Sequence, residues 1–375
     1  MEELLQVMKR ARDILDRTLS VINSEGVVIA STDLTLEGEY LSEAGLLMAT
    51  TDDFSVADEY SYARIELGQD GEFLLRIDGT DHTSQAYLLL VREWFQVALE
   101  DKTRDSERDS FLKNVLLENE LPGDIPLKAR DYKIDYAKPR VCFLFKLYGD
   151  ADHAGALSLL RTLFPQRHKD YLFAMEENTI VLLYQPEEAD MNLDDYAEIA
   201  KQIVDTMSSE LMLDVRAGLG LEAPTLKGLA KSYREAALSI TIGHIFSPEK
   251  KVNRYDQLGL GRLIYQLPPT LCQLFLNEVF PEGAYEQLDS EVLLTIDKFF
   301  ANNLNGSETS RQLYVHRNTL VYRLDKVAKI TGLDLRNFED AVMFKLASMV
   351  RRYLDYLERT RIEAESGELL GQRMQ

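Results

Sequence analysis

The sequence predicts a multidomain α+β chain whose C-terminal part is all-helical. Three observations carry that prediction. The chain has 375 residues, and at roughly 100–200 residues per domain that allows two or three domains, each with its own core. Strand-like apolar runs alternate with helix-period runs as far as Leu219, and only helix-period runs follow Leu258. The composition, 45% hydrophobic and 28% charged, is that of a folded globular protein rather than a disordered or collagenous one.

The N-terminal elements come in the order helix, strands, helix. Leu4, Leu5, Met8, Ala11, Ile14 and Leu15 recur at helical spacing. Two apolar runs within Leu19–Ser31 flank Asn23-Ser-Glu-Gly26, a hairpin turn signal. Tyr62–Leu67 and Glu72–Ile77 read as two more strands with Gln69-Asp-Gly71 as their turn. From Ser84 the helical pattern returns through Tyr87, Leu88, Val91, Phe95 and Ala98. Helix, small antiparallel sheet and helix form the outline of a PAS- or GAF-like α+β sensor, expected over residues 1–100.

Residues 101–125 read as a helical connector. Glu100–Ser110 is mixed in charge, with no apolar residue and no Gly or Pro, which fits a solvated helix. Phe111, Leu112, Val115, Leu116 and Leu117 resume an apolar face, and Leu121-Pro-Gly-Asp-Ile-Pro126 breaks the chain at a domain boundary. Over residues 126–250 the predicted order is strand Val141–Leu147, helix Gly155–Phe164, a hairpin of Tyr171–Met175 and Thr179–Tyr184, helix Asp195–Leu211, strand Val215–Leu219 and helix Leu226–Phe246. That order argues an α+β sandwich on one mostly antiparallel sheet. Residues 251–290 are expected to form a second helical connector, 291–362 an all-α domain, and 363–375 a tail that frays.

Charge and cysteines exclude several classes of function. With 42 Lys and Arg against 63 Asp and Glu, the formal net charge is −21. The overall field of such a chain repels phosphate, so any nucleic-acid function must sit on a local basic patch. Cys142 and Cys272 have no neighbouring ligand pattern and read as buried thiols rather than a zinc site or disulfide. No cofactor and no metal site is expected. The longest unbroken apolar run, Ala86–Val91, is far short of a membrane span, and Met1–Arg12 lacks a signal-peptide core. The expectation is a cytoplasmic protein with no membrane partner.

The informative stretch is Asn303–Phe338. Ser307, after Asn305-Gly306, reads as the N-cap of a short helix Glu308–Leu313. Tyr314-Val315 follows, then a longer helix with Leu320, Leu324 and Val327 on its inner face, expected to pack on Leu313 and Phe299. Short helix, turn and longer helix is the helix-turn-helix arrangement. His316, Arg317, Asn318 and Thr319 crowd the N-terminal turn of the second helix, the part that meets base edges. Arg pairs bidentately with guanine and Asn with adenine. Tyr322, Arg323 and Lys326 lie further along and suit phosphates. Over Ser307–Lys329 five cations (Arg311, Arg317, Arg323, Lys326, Lys329) face Glu308 and Asp325, so the stretch is +3. On pattern alone, DNA binding and a merely solvated basic face stay open.

Val315-His-Arg-Asn-Thr-Leu-Val-Tyr-Arg-Leu324, with Thr331-Gly-Leu-Asp-Leu-Arg-Asn-Phe-Glu-Asp-Ala341, resembles the C-terminal domain of PucR/CdaR-type transcriptional regulators. Phe299-Phe-Ala-Asn-Asn303, Ser307 and Leu346-Ala347 extend the likeness. Tyr255-Asp-Gln-Leu-Gly-Leu260, Arg262-Leu263 and Arg108–Leu117 are similar to the connectors of those regulators. The resemblance covers Arg108–Leu357. It implies a sequence-specific regulator of double-stranded DNA, a homodimer or higher homo-oligomer, with a GGDEF-like, cyclase-like middle domain.

A cyclase needs metal-binding carboxylates near its first strand and a Gly-Gly turn. Val141–Leu147 has no carboxylate and the hairpin turn reads Met175-Glu-Glu-Asn178, so this middle domain is read as degenerate and catalytically empty. Leu19–Asp33, Leu36-Glu-Gly38 and Leu75–Thr80 more distantly resemble the sugar-diacid recognition domain of the CdaR branch. That implies a small-molecule effector, a sugar diacid or other small carboxylate, with Arg64, Arg76 and His82 as the local cationic candidates. The competing readings are a nucleotide-binding or nucleotide-cyclase enzyme through the middle domain, and a helix-turn-helix that contacts protein.

Overall fold

A computed structural model of the chain describes residues 2–48, 53–66, 71–149, 152–166, 169–186 and 191–373. The chain divides into two compact units, Met1–Lys113 and Asn114–Gln375.

In the first unit, α1 (Glu2–Ile14) leads into β1 (Leu19–Ile22) and β2 (Val28–Ser31), then α2 (Ser42–Met48), β3 (Phe54–Ala57), β4 (Tyr60–Glu66), β5 (Glu72–Asp78) and α3 (His82–Leu116). The strands form one antiparallel five-stranded sheet in the order β2-β1-β5-β4-β3. Asn23 closes the first hairpin as predicted, its Oδ1 accepting from the N–H groups of Glu25 and Val27. Residues two apart on a strand share a face, which divides the sheet chemically. Leu19, Val21, Ala63, Ile65, Leu75 and Ile77 are buried with Val7, Met8 and Ala11 of α1 and Leu88, Val91 and Phe95 of α3. Ile22, Val28, Tyr62 and Leu74 face the other way, against Ala44 of α2.

Several details differ from the expectation. Ile14 is exposed, and Val7 takes its place in the core. α2 and β3 were not foreseen: at seven and four residues they hold few periods, and unlike the equally short β1 and β2 they flank no Asn-to-Gly turn signal. α3 is one helix of 35 residues, so the first stretch of the predicted connector continues the sensor's last helix. Leu67, the turn residues Gln69 and Asp70, and the side chains of Leu4, Leu5 and Ala98 lie outside the described residues.

The second unit opens with α4 (Ile125–Asp131), which starts at the Pro-containing break. Then come β6 (Val141–Tyr148), α5 (His153–Leu163), β7 (Tyr171–Glu176), β8 (Thr179–Tyr184), α6 (Leu193–Glu210), β9 (Asp214–Leu219), α7 (Leu229–Phe246) and β10 (Val252–Arg254). The sheet order is β10-β9-β6-β8-β7, with all pairs antiparallel except β10 on β9. Phe143, Phe145, Leu182 and Ala217 pack on Leu160 of α5 and Ile203 and Met207 of α6. α7 lies on the opposite face. There a Cβ on Gly218 or Gly220 would stand 2.1 or 2.0 Å from the carbonyl oxygens of Ala236 and Ser232. The Arg216–Gly220 segment therefore has its glycines for close helix approach. Ser232 Oγ accepts from the Cys142 N–H at 3.1 Å, and the buried Glu235 accepts from the Leu221 N–H at 2.9 Å, locking α7 to the sheet.

The remainder is helical, as predicted: α8 (Gly259–Tyr265), α9 (Pro269–Val279), α10 (Ser290–Ala301), α11 (Gly306–Gln312), α12 (Arg317–Thr331) and α13 (Phe338–Arg373). Their core joins Phe299, Leu320, Leu324, Val327, Phe344 and Val350. α13 runs on to Arg373, where the tail was expected to fray. Cys142 and Cys272 are both buried, as expected. Among the described residues no helix is long and apolar enough to cross a membrane.

Candidate nucleic-acid interface

The C-terminal site is three helices deep. α10 backs it, and α11 and α12 form the pair in front. Leu320, Leu324 and Val327 share a core with Phe299, as the spacing predicted, while Leu313 is only half-buried. Asn302 donates from Nδ2 to Gln312 Oε1 at 3.2 Å, tying the end of α10 to the end of α11. Arg352 of α13 grips both oxygens of Asp297 on α10 at 2.9 Å.

The start of α11 corrects the sequence reading. Its N-cap is Asn305, whose Oδ1 accepts from the N–H groups of Ser307 and Glu308, both at 3.1 Å. Ser307 lies inside the first turn. An Asn side chain at the extended residue before Gly306 reaches the free N–H groups from outside the helix, and Ser307, already helical, cannot.

α12 starts on an unusual cap. His316 Nδ1 accepts from the Asn318 N–H at 3.2 Å, which leaves Nε2 as the ring's donor. The helix ends at Gly332 in the left-handed conformation, φ +80°. Arg317, Asn318 and Thr319 are exposed in the first turn, and Tyr322 follows one turn on, 69% exposed. Among the described residues none of these four side chains forms a hydrogen bond or ion pair.

The other predicted contacts are engaged elsewhere. Arg323 donates to Thr295 Oγ1 at 3.0 Å and to Glu291 Oε2 at 2.5 Å, both on α10. It points inward, not outward as the helical wheel implied, because Glu291 and Thr295 stand one turn apart beside it. Lys326 pairs with Asp289 at 2.5 Å, and Arg311 with Glu308 at 2.5 Å. The Asp289 carboxyl is held below the usual carboxylate range by the Lys326 ammonium and then by the Val292 N–H that it caps. Arg317 and Lys329 are thus the cations of this stretch without an ion pair among the described residues.

Sequence reasoning passed over Tyr314. It sits in the turn between α11 and α12 at φ +54° and is 96% exposed. A bulky residue rarely holds that conformation with its ring in water. The signal available in the sequence was an aromatic residue at the turn itself.

In the N-terminal unit the structure brings Arg64 and Arg76 to one face of the sheet and leaves His82 apart, exposed at the start of α3. Arg64 donates to the carbonyls of Met48 and Leu47 at 3.0 and 3.4 Å, and to Glu72 at 3.4 Å. Arg76 is buried, its guanidinium 4.5 Å from the centre of the Tyr60 ring.

The geometry defines a class: a helix-turn-helix protein with an α+β domain ahead of it. The PucR C-terminal helix-turn-helix domain matches residues 292–350, and a GGDEF-like domain matches residues 118–242. Together these are the C-terminal and middle domains found in PucR/CdaR-type regulators, which the chain resembles. It is 26% identical over 373 residues to the carbohydrate diacid regulator of Escherichia coli (strain K12), covering 91% of this chain and 95% of that protein. It is 21% identical to the purine catabolism regulatory protein of Bacillus subtilis (strain 168), covering 94% of this chain and 71% of that one. Over 141 residues it is 28% identical to the proline-responsive transcriptional activator PutR of the same organism, covering 36% of this chain and 34% of that one.

Proposed function

We propose that the protein is a sequence-specific DNA-binding transcriptional regulator controlled by a small-molecule effector. One observation carries the DNA-binding part: the start of α12 presents Arg317, Asn318 and Thr319 in its first turn and Tyr322 one turn on, all exposed and without side-chain partners among the described residues. A helix of 15 residues is about 22 Å long, enough to lie in a major groove with that turn against base edges. Arg317 and Asn318 read bases, His316 adds its Nε2 donor, and Ser307, Arg311, Tyr322 and Lys326 line the flanks where phosphates run, while Arg323 stays bound to α10. A homodimer carries two such units to half-sites about 34–36 Å apart.

The N-terminal unit senses the effector. Its sheet order, flanked by α1 and α3, supports the PAS- or GAF-like reading. Similarity to a carbohydrate diacid regulator supports a small carboxylate as the ligand class. The GGDEF-like domain transmits rather than catalyses. β6 carries no carboxylate and the β7–β8 turn is Glu177-Asn178 without a Gly-Gly pair. A cytoplasmic location fits this role.

Selection of bound duplexes from a random pool tests the proposal. The expected product is one enriched motif with two-fold symmetry. Recovery of no motif, together with turnover of GTP in the presence of magnesium, would move the function to the middle domain.

A further inference from the structure

α11 ends on a recurrent capping geometry with an unusual residue in it. The Val315 N–H donates to the Ser310 carbonyl at 3.0 Å, and the Tyr314 N–H to the Arg311 carbonyl at 3.2 Å. Together the two bonds form the motif that closes a helix through one left-handed residue. That residue is Tyr314, at φ +54°. Glycine is the usual choice there, because a Cβ crowds the carbonyl that follows it. α12 ends on such a glycine, Gly332 at φ +80°.

Inside the chain the ring gains nothing that offsets this strain. Tyr314 is 96% exposed, more than any other large apolar or aromatic side chain among the described residues. Its neighbours Leu313 and Val315 are half-buried, so the turn lies against the protein and only the tyrosine stands off it. Among the described residues its side chain has no hydrogen bond and no ring contact. A strained backbone position that carries a ring into water points to a contact made outside the chain.

Its place in the fold says what that contact is. In a helix-turn-helix the first helix crosses the DNA backbone and the second enters the major groove. Tyr314 stands at the corner between them. Three residues along the chain lead from it to Arg317, so the two Cα atoms are at most about 11 Å apart. The major groove is about 12 Å wide. With Arg317 at the base edges, the ring meets the wall of the groove. We infer that Tyr314 is a further DNA contact, packing its ring on a deoxyribose and donating its hydroxyl to a phosphate oxygen beside the bases met by Arg317 and Asn318. This rests on the DNA-binding reading and adds to it an uncharged anchor, one that sets the register of α12 without reading sequence.

The test uses the full chain with two probes, the duplex that wild type enriches from a random pool and a duplex of mixed sequence. Tyr314→Gly and Tyr314→Asn accept the left-handed backbone and remove the ring, whereas Tyr314→Phe keeps the ring and removes the hydroxyl. Tyr314→Gly should unfold in urea at the wild-type midpoint or above it, since it relieves the turn. It should weaken binding to both duplexes by one factor, at least ~10-fold, and Tyr314→Phe should weaken it at least ~3-fold. The salt dependence should keep its wild-type slope, because a hydroxyl neutralises no phosphate. Wild-type affinity in Tyr314→Gly and Tyr314→Asn would overturn the contact and leave the DNA-binding reading standing. A loss confined to the selected duplex would make the ring a base reader and overturn the backbone assignment. A midpoint lowered in both ring-less variants would make the ring structural and overturn the inference. Enrichment of no duplex by wild type would overturn the DNA-binding reading and the contact with it.

Discussion

At the first turn of α12, Arg317 and Asn318 differ from Arg323 and Lys326 behind them in one respect: nothing in the described structure holds their side chains. Arg317→Ala and Asn318→Ala should each cost about 1–3 kcal/mol of discrimination between matched and mismatched sites, read from binding to single-base operator variants. Arg323 is a different kind of residue. Its bond to the fully buried Thr295 makes it a clamp between α12 and α10. Arg323→Met should lower the stability of the chain by about 1–2 kcal/mol, measured by urea unfolding. Glu291→Gln should release that guanidinium toward phosphate and steepen the salt dependence of DNA binding by about one unit of slope. The Asp289–Lys326 pair sets a pH window. A depressed carboxyl contributes stability above its unfolded value and loses it as pH falls through the folded one. Helical cooperativity of this region should therefore be insensitive to pH between 5 and 8, and should weaken only below the ordinary carboxylate range. Periodicity revealed which side of α12 faces inward. It could not reveal which cations are paired, because Glu291 and Asp289 lie 32 and 37 residues from their partners.

At the scale of elements, the long periodic helices were legible, and of the short ones α11 was read from its capping residues while α2 was missed. α12 and α13 repeat their apolar positions over several turns, whereas α2 and β3 do not. The cap of α11 was misread because Asn305 and Ser307 are both good capping types, and only the backbone decides between them. Asn305→Ala should cost about 1 kcal/mol, and Ser307→Ala only a few tenths, in thermal unfolding of the full chain. Gly218 of β9 and Gly220 just beyond it stand where α7 comes closest to the sheet. Contact with α7 accounts for them. Gly218→Ala must push the helix off the sheet, a loss of about 1–3 kcal/mol.

For the whole molecule, the distribution of charge matters more than its sum. Glu291–Arg361 carries 12 cations and 9 anions, so it is +3, and the remainder of the chain is −24. Three of those cations are clamped to carboxylates in the helix-turn-helix itself. Non-specific attraction to DNA is accordingly weak, and recognition leans on the few side chains left free at one end of α12. The order of domains was legible from the order of elements, and the helix-turn-helix from its inner face and its resemblance. The pairing of Ser31, Ser20, Arg76 and Tyr62 across the N-terminal sheet was not, because strand register brings them together from four separate strands. The most direct test of the account is selection of bound DNA from a random pool with wild type and Arg317→Ala in parallel. A motif that loses its information at one base position in each half-site, with the flanking positions kept, is the predicted result. An identical motif from both proteins would contradict base reading by the first turn of α12.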